Sequence, residues 1–143
     1  EAVKIWHRAM RSKDIGIWDE LLAEDVVFHS PVVFTPQEGK KITMMYLMAA
    51  TGVFGSTDDK SESTRDAPTE SKFRYVNEII GETSALLEFE SEIDGTYING
   101  VDLLKWDENN KLIEVKVMVR PLQAVNMLHQ KMKAMLESKS QQK

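Results

Sequence analysis

The chain has 143 residues and no cysteine, so we expect one domain and exclude both disulfide bonds and thiol catalysis. Its apolar fraction of 42% and charged fraction of 29% are typical of a globular protein rather than a disordered chain. The net charge of −5, without any stripe of Lys or Arg, argues against nucleic acid as a partner. No apolar run approaches the roughly 18 residues that span a bilayer, and Glu1 opens no charged-then-apolar leader. We therefore expect a cytoplasmic protein without membrane contact.

The first third of the chain alternates helical and extended patterns. Apolar residues at helical spacing predict two short helices, over residues 3–10 and 15–22. The β-branched and aromatic stretch 26–28 predicts a short strand that ends before Pro31, because proline cannot donate a hydrogen bond to a sheet. The apolar face over 41–54 predicts a third helix.

The middle and end of the chain predict a long antiparallel meander. Residues 56–71 are almost entirely polar and predict a mobile loop insertion. Apolar and polar residues then alternate with a period of two, which predicts strands over 73–79, 87–93, 96–107 and 111–120.

The last element is a helix that follows Pro121. Its apolar stripe covers 122–136, and the polar residues 138–143 are expected to form a disordered tail. Residues 1–143 are thus expected to form a single α+β domain.

Several local motifs carry a family resemblance. These are LAEDVVF at 22–28, the entry to the third helix at 36–39, VDLLKW at 101–106, and Leu112-Ile113 after the following turn. Together with the order of the elements, they resemble the SnoaL-like members of the nuclear-transport-factor-like superfamily. The resemblance implies a cone-like, curved antiparallel (mixed) sheet, N-terminal helices that close an apolar pocket, and an extra C-terminal helix.

The resemblance also singles out Asp102, because the matching aspartate points into the cavity in the ketosteroid isomerases of this superfamily. Side chains alternate along a strand, so Leu104 and Trp106 then point inward too, as do Leu87 and Phe89 on the neighbouring strand. A carboxyl group among hydrocarbon is desolvated, which raises its pKa and can leave a neutral acid that donates to a carbonyl or an oxyanion. It could equally orient a water molecule.

A second interpretation of Asp102 stays open: it hydrogen-bonds a backbone group or Trp6 and only stabilises the sheet. The isomerase pattern is also incomplete. Ser30 stands where that family keeps its carboxylate base, and Trp6 stands where it keeps its phenol donor. Steroid isomerase chemistry is therefore not implied. Ser30 has no adjacent base, so we expect it to cap a turn or contact a ligand rather than act as a nucleophile, and His29 should face away from the cavity.

The candidate ligand-binding residues are those that the predicted fold directs at the cavity. They are Trp6, Phe28, Ser30, Tyr46, Phe54, Leu87, Phe89, Leu104, Trp106 and Val117. The methionines between 127 and 135 are interpreted as helical core, with a flexible cavity wall as the alternative. No metal-ligand spacing or phosphate-binding loop is present, so we predict no metal and no cofactor.

The opposite face of the sheet is predicted to be charged and partly apolar. Glu88, Glu90 and Glu92 alternate onto it and are expected to pair with the cations Lys105, Lys116 and Arg120. It also carries apolar side chains that a monomer would expose, namely Tyr97, Val101, Leu103 and Met118. We therefore expect a homodimer through this outer face.

Two functions are compatible with this sequence. The first is binding of a small apolar, carbonyl-containing molecule in the cavity, with or without isomerase-, cyclase- or hydrolase-like acid/base chemistry by Asp102. The second is a non-catalytic dimeric protein-interaction module whose cavity is filled by its own aromatic side chains. An empty volume that touches Asp102 would favour the first.

Overall fold

The computed structural model describes residues 1–12, 14–54 and 73–140. Helices α1 (Ala2–Arg11) and α2 (Ile15–Leu21) open the chain, followed by strand β1 (Leu22–His29), strand β2 (Gln37–Glu38) and helix α3 (Lys40–Phe54). The remaining elements are β3 (Arg74–Ile80), β4 (Ser84–Ile93), β5 (Thr96–Trp106), β6 (Leu112–Arg120) and α4 (Leu122–Ser140). The loop predicted to be mobile, 56–71, lies outside the described residues.

The six described strands form one mixed sheet in the order β2-β1-β6-β5-β4-β3. The four later strands form the predicted antiparallel meander. Strand β1 runs parallel to β6, with Phe28 opposite Val115 and His29 opposite Lys116. The α+β class and the cone-like mixed sheet with its N-terminal helices and C-terminal helix are therefore confirmed.

Several elements differ from the sequence-based expectation, among them β4, which begins at Ser84 rather than at residue 87. Strand β1 begins at Leu22 rather than at residue 26, because Leu22 pairs with Leu112 and is fully buried. Strand β2 was not predicted, since Gln37 and Glu38 show no apolar alternation, and only pairing with β1 makes them extended. Helix α4 continues to Ser140, past the expected start of the tail at 138, while 141–143 lie outside the described residues. Within the described part of the chain, no helix is long and apolar enough to cross a membrane.

The sheet has one buried and one exposed face, as the alternation predicted. On β5, positions 98, 100, 102, 104 and 106 are buried, whereas Lys105 is exposed. Helices α1 and α2 cover one end of the buried face, where the Trp6 and Trp18 rings meet edge to face at 5.3 Å. Helix α4 covers the other end through Ala124 and Leu128. The space between these helices is where the candidate site lies.

Candidate functional site

A cavity of about 60 Å³ lies between the inner face of the sheet and the helices. Its walls are almost entirely apolar, and Asp102 is the charged residue among them. Helix α1, the end of β1, helix α3, strands β4 to β6 and helix α4 all contribute side chains to it. Because these elements are distant in sequence, the cavity exists only in the folded chain.

The structure brings together about half of the predicted site residues. The cavity walls include Trp6, Phe28, Ser30, Phe89, Asp102 and Val117. Tyr46 lies behind the wall, where its ring stacks on Phe28 at 5.3 Å. The Phe54 side chain lies outside the described residues.

Three residues predicted to contact a ligand lie outside the cavity wall. Leu87, Leu104 and Trp106 do point to the inner face, but they pack in the hydrophobic cluster of Trp18 and Leu21. Strand parity determines the face of a side chain and leaves open which position along the strand meets the cavity. In this protein helix α2 covers that end of the sheet, which buries the three side chains away from the cavity.

Helix α4 contributes to the cavity wall, which was not predicted from the sequence. Leu128 and Met132 line the cavity from this helix, and Met10 does so from α1. The signal was present in the methionines between 127 and 135, for which a flexible cavity wall was the alternative to helical core. A flexible thioether fills irregular space, so Met10 and Met132 suit a wall that adapts to a bound molecule.

Asp102 lies at the end of a buried hydrogen-bond chain. The residue is buried, with 5% of its surface exposed. Tyr75 donates its hydroxyl proton to Asp102 Oδ2 at 2.8 Å, and Trp6 donates its indole Nε1–H to the Tyr75 oxygen at 2.9 Å. From the sequence, a backbone group or Trp6 was the expected partner of Asp102, and Tyr75 was not predicted, although it occupies an alternating apolar position of its strand.

The hydrogen bonds from Trp6 to Tyr75 and from Tyr75 to Asp102 determine which oxygen of Asp102 can carry a proton. A phenol has a single proton, and because the Tyr75 oxygen accepts from Trp6, that proton is directed at Oδ2 of Asp102. When Asp102 is neutral, its own proton is therefore bound to Oδ1, because Oδ2 accepts the hydrogen bond from Tyr75. The arrangement leaves one carboxyl oxygen as a hydrogen-bond donor to another group.

Burial dominates the electrostatics of the pair. Desolvation raises the pKa of Asp102 to about 7, and the hydrogen bond from Tyr75 acts in the opposite direction by stabilising the carboxylate. Desolvation and the nearby Asp102 charge together raise the pKa of Tyr75 well above 10. At neutral pH the phenol therefore keeps its proton, while Asp102 populates both its neutral and its charged form.

Ser30 and His29 lie where the strand β1 ends. Ser30 Oγ accepts a hydrogen bond from the Val32 backbone N–H at 3.1 Å, and Ser30 also lines the cavity, so the turn-capping role is confirmed. His29 Nε2 lies 2.9 Å from Glu114 Oε2, on the outer face, as its parity predicted. Among the described residues, no three His, Asp or Glu side chains form a group that could hold a metal ion.

The outer face carries the expected charge pairs, but with different partners. Glu90 pairs with Arg74 at 2.7 Å, and Glu88 accepts from the Asn99 amide at 3.0 Å. Lys105 pairs with Glu114 at 3.6 Å. Glu88 and Glu90 therefore have partners other than the predicted Lys105, Lys116 and Arg120, because the strand register places Val101 and Asn99 opposite them.

Similarity to known proteins appears in structure rather than in sequence. No model of a known protein family matches the chain, and no curated protein matches it significantly. A steroid delta-isomerase from Pseudomonas aeruginosa is similar in structure with a TM-score of 0.80 and 24% identity, over 96% of this chain and 90% of that one. The epoxide hydrolase/cyclase-like enzyme SalBIII of pyran ring formation in salinomycin is also similar. Its TM-score is 0.60 and its sequence identity 16%, over 83% of this chain and 88% of that one.

A SnoaL-like family protein from Agrobacterium tumefaciens gives a TM-score of 0.59 and 13% identity, over 84% of this chain and 95% of that one. Other similar structures are described as nuclear-transport-factor-like proteins. At these identities the similarity establishes the fold. The chain therefore has the fold of the nuclear-transport-factor-like superfamily, as its sequence motifs predicted.

Proposed function

We propose that this protein binds a small apolar molecule with a carbonyl group in the cavity, and that Asp102 is the residue that recognises the carbonyl. The observation that supports this most directly is the single buried carboxyl group in an otherwise apolar wall, held by the Tyr75 hydroxyl. Buried polar groups usually complete their hydrogen bonds. A carbonyl oxygen would accept the proton of neutral Asp102.

The same group can perform acid/base chemistry. With a pKa of about 7, Asp102 can give a proton to a carbonyl or enolate oxygen and recover it near neutral pH. Isomerisation and cyclisation both need such a donor where oxyanion charge develops. That similar structures include a steroid delta-isomerase and a cyclase-like enzyme supports this class of reaction.

The cavity volume limits what can enter. One water molecule needs about 10 to 15 Å³ of such space, so 60 Å³ holds only a few non-hydrogen atoms. A steroid skeleton would require the walls to move. We therefore expect the carbonyl end of the ligand, rather than a fused-ring body, to occupy the cavity.

The test measures the affinity of the wild-type protein and its variants for 2-heptanone by NMR titration. Asp102→Asn keeps a donor of similar shape, so its affinity should stay within about threefold, whereas Asp102→Leu should lose at least about tenfold. The exposed Asp25 provides the matched control, because Asp25→Asn and Asp25→Leu should change nothing. A folded Asp102→Leu variant that binds normally would refute the proposal.

A pH titration tests the same proposal without a destabilising substitution. Neutral Asp102 is the donor, and it is lost as the pH rises through about 7. Wild-type affinity for 2-heptanone should therefore fall between pH 6 and pH 8, and the affinity of Asp102→Asn should stay constant. Equal pH dependence in both proteins would contradict the proposed role.

The alternative, a dimeric interaction module, is favoured by the outer face of the sheet. Tyr97 is 48% exposed and Met118 is 45% exposed, side by side with the charge pairs of that face. We propose that a second copy covers the end of this face that carries Tyr97, whether or not the cavity binds a ligand. Light scattering should then give about twice the monomer mass of 16.3 kDa at micromolar concentration. A monomer alone would refute the dimer.

A further inference from the structure

A groove on the surface opens beside the cavity. The edge groove, as we call it, lies between residues 29–34 and residues 116–119 of β6, and it holds about 330 Å³. Four residues line both the edge groove and the cavity: Ser30, Pro31, Val117 and Val119. These four residues form a wall that the two spaces share, and a molecule that filled both spaces would cross it at this edge of the sheet.

The groove exists because β1 is shorter than β6. Pairing between the two strands stops at His29 and Lys116, and the chain then turns away at Pro31. Beyond Lys116, strand β6 keeps β5 as its neighbour on one side only. A strand edge without a neighbour leaves backbone N–H and C=O groups that can bind another molecule. Phe34 stands fully exposed beside the groove.

The two spaces differ in chemistry. The cavity wall is almost entirely apolar, whereas polar and apolar atoms share the surface of the edge groove about equally. A molecule that fills both would thus have an apolar end and a polar end. The charge of the groove indicates what the polar end is.

Lys116 is the cation of the edge groove, and it lacks an acidic partner among the described residues. Its neighbours across the sheet are Leu103 on β5 and His29 on β1. The nearest acidic residue along β6, Glu114, is already engaged, with His29 at 2.9 Å and Lys105 at 3.6 Å. Other cations of the sheet and helices, such as Arg74 and Lys40, have carboxylates within 4.0 Å.

We infer that the ligand is an oxo acid, whose carbonyl end lies at Asp102 and whose carboxylate lies in the edge groove against Lys116. This inference rests on the proposed function of the cavity. The two groups lie on opposite faces of the sheet, because Asp102 pairs with the inward-facing Val117 and Lys116 is the next residue along β6. The molecule needs only to pass over the free edge of one strand, a width of roughly 5 Å.

Two probes of equal length separate the contribution of the carboxylate to affinity from that of the rest of the ligand. They are 2-heptanone and 6-oxoheptanoate, which share the acetyl group and four methylenes and differ only in the last group. At low salt the wild-type protein should bind 6-oxoheptanoate about five- to tenfold more tightly by NMR titration. Raising the salt concentration to about 0.3 M should reduce this preference, because the ion pair lies at the surface.

The variants assign the preference to one lysine. Lys116→Met should abolish it and leave 2-heptanone affinity unchanged. Lys105→Met is the matched control, since Lys105 is also on the outer face of the sheet but pairs with Glu114, and it should keep the preference. A Lys116→Met protein that still prefers the oxo acid, or a wild-type protein without any preference, would overturn the inference.

The two proposals fail in different ways. Asp102-dependent binding of 2-heptanone without a preference for the acid would refute the oxo acid and leave the proposed function intact. Failure of both probes to bind would refute both. Tight binding of 6-oxoheptanoate that survives Asp102→Leu would place the acid in the groove alone and contradict a ligand that spans both spaces.

Discussion

The two faces of the sheet treat carboxyl groups in opposite ways. On the outer face, Glu90 and Glu114 lie at 2.7 to 3.6 Å from cationic side chains and remain partly exposed to water. On the inner face, Asp102 lies in hydrocarbon, and its hydrogen-bond partner is the neutral phenol of Tyr75. Because the residue types are nearly the same, the difference shows that a single step in strand parity decides whether a carboxyl group forms ion pairs or retains a proton near neutral pH.

The largest expected effect is the pH dependence of stability that Asp102 causes. Its pKa is about 7 in the folded chain and about 3.9 when unfolded. Between these values the native state holds a proton that the unfolded state has lost, so stability falls as the pH rises. From pH 5 to pH 8 the free energy of unfolding should drop by about 3 kcal/mol through this group alone.

Urea unfolding of the wild-type protein and Asp102→Asn at both pH values measures this effect. Asparagine does not titrate, so the difference between the two proteins isolates Asp102 from the three histidines of the chain. The wild-type protein should lose more stability toward pH 8 than the variant does. Parallel pH profiles would mean that the inner face does not desolvate Asp102.

A methyl group added at Gly100 tests how tightly the inner face is packed. An added Cβ would lie 2.6 Å from Phe89 Cζ and 2.7 Å from the Met118 carbonyl oxygen, and the carbonyl belongs to the backbone and cannot move aside. Gly100→Ala should cost about 3 kcal/mol and disturb the Phe89 ring, which lines the cavity. Gly81→Ala, where the nearest atom is 3.4 Å away, is the control. Thermal unfolding measures the stability of both variants, and an equal loss of stability in Gly100→Ala and Gly81→Ala would contradict this packing.

Removal of the Tyr75 hydroxyl should have a smaller effect with two signatures. Tyr75→Phe leaves the buried Trp6 N–H without its acceptor, at a cost of about 2 kcal/mol. It also removes a donor to the carboxylate, so the pKa of Asp102 should rise above about 7. Carboxyl ¹³C NMR follows that titration directly.

The outer face supplies the comparison for this variant. Tyr97→Phe removes a hydroxyl that donates to Glu90 at 3.0 Å in an exposed position. It should change stability far less than Tyr75→Phe does and leave the Asp102 titration unchanged. A rise in the Asp102 pKa in both variants would show that the Tyr75 bond is not the cause.

The smallest effect is expected for an ion pair of the outer face. Arg74→Met breaks the contact with Glu90, but Arg74 is 64% exposed, so water and salt already screen the pair. The loss of stability should be below about 1 kcal/mol and should vanish at high salt. Urea is uncharged, so unfolding in urea at low and at high salt measures this loss of stability without adding ions. A loss as large as that of Tyr75→Phe would mean that the two faces differ less than the structure indicates.

The sequence by itself determined the features that depend on local periodicity. The alternation along β4, β5 and β6 assigned Leu87, Phe89 and Leu104 to the inner face, and the burial of these residues agrees. The inward orientation of Asp102 followed from the same parity once the family resemblance supplied the direction. Helices and strands repeat every 3.6 and 2 residues, so their apolar faces are visible without any knowledge of their neighbours.

Only the tertiary structure decided how distant elements meet. Trp6 and Tyr75 are 69 positions apart, and Tyr75 and Asp102 are 27 apart, so no local pattern could predict their hydrogen bonds. The wall that α4 supplies and the edge groove depend on where strands stop pairing and how helices cross the sheet. These contacts depend on strand register and on packing between distant segments. No fixed spacing of residue types along the sequence marks them.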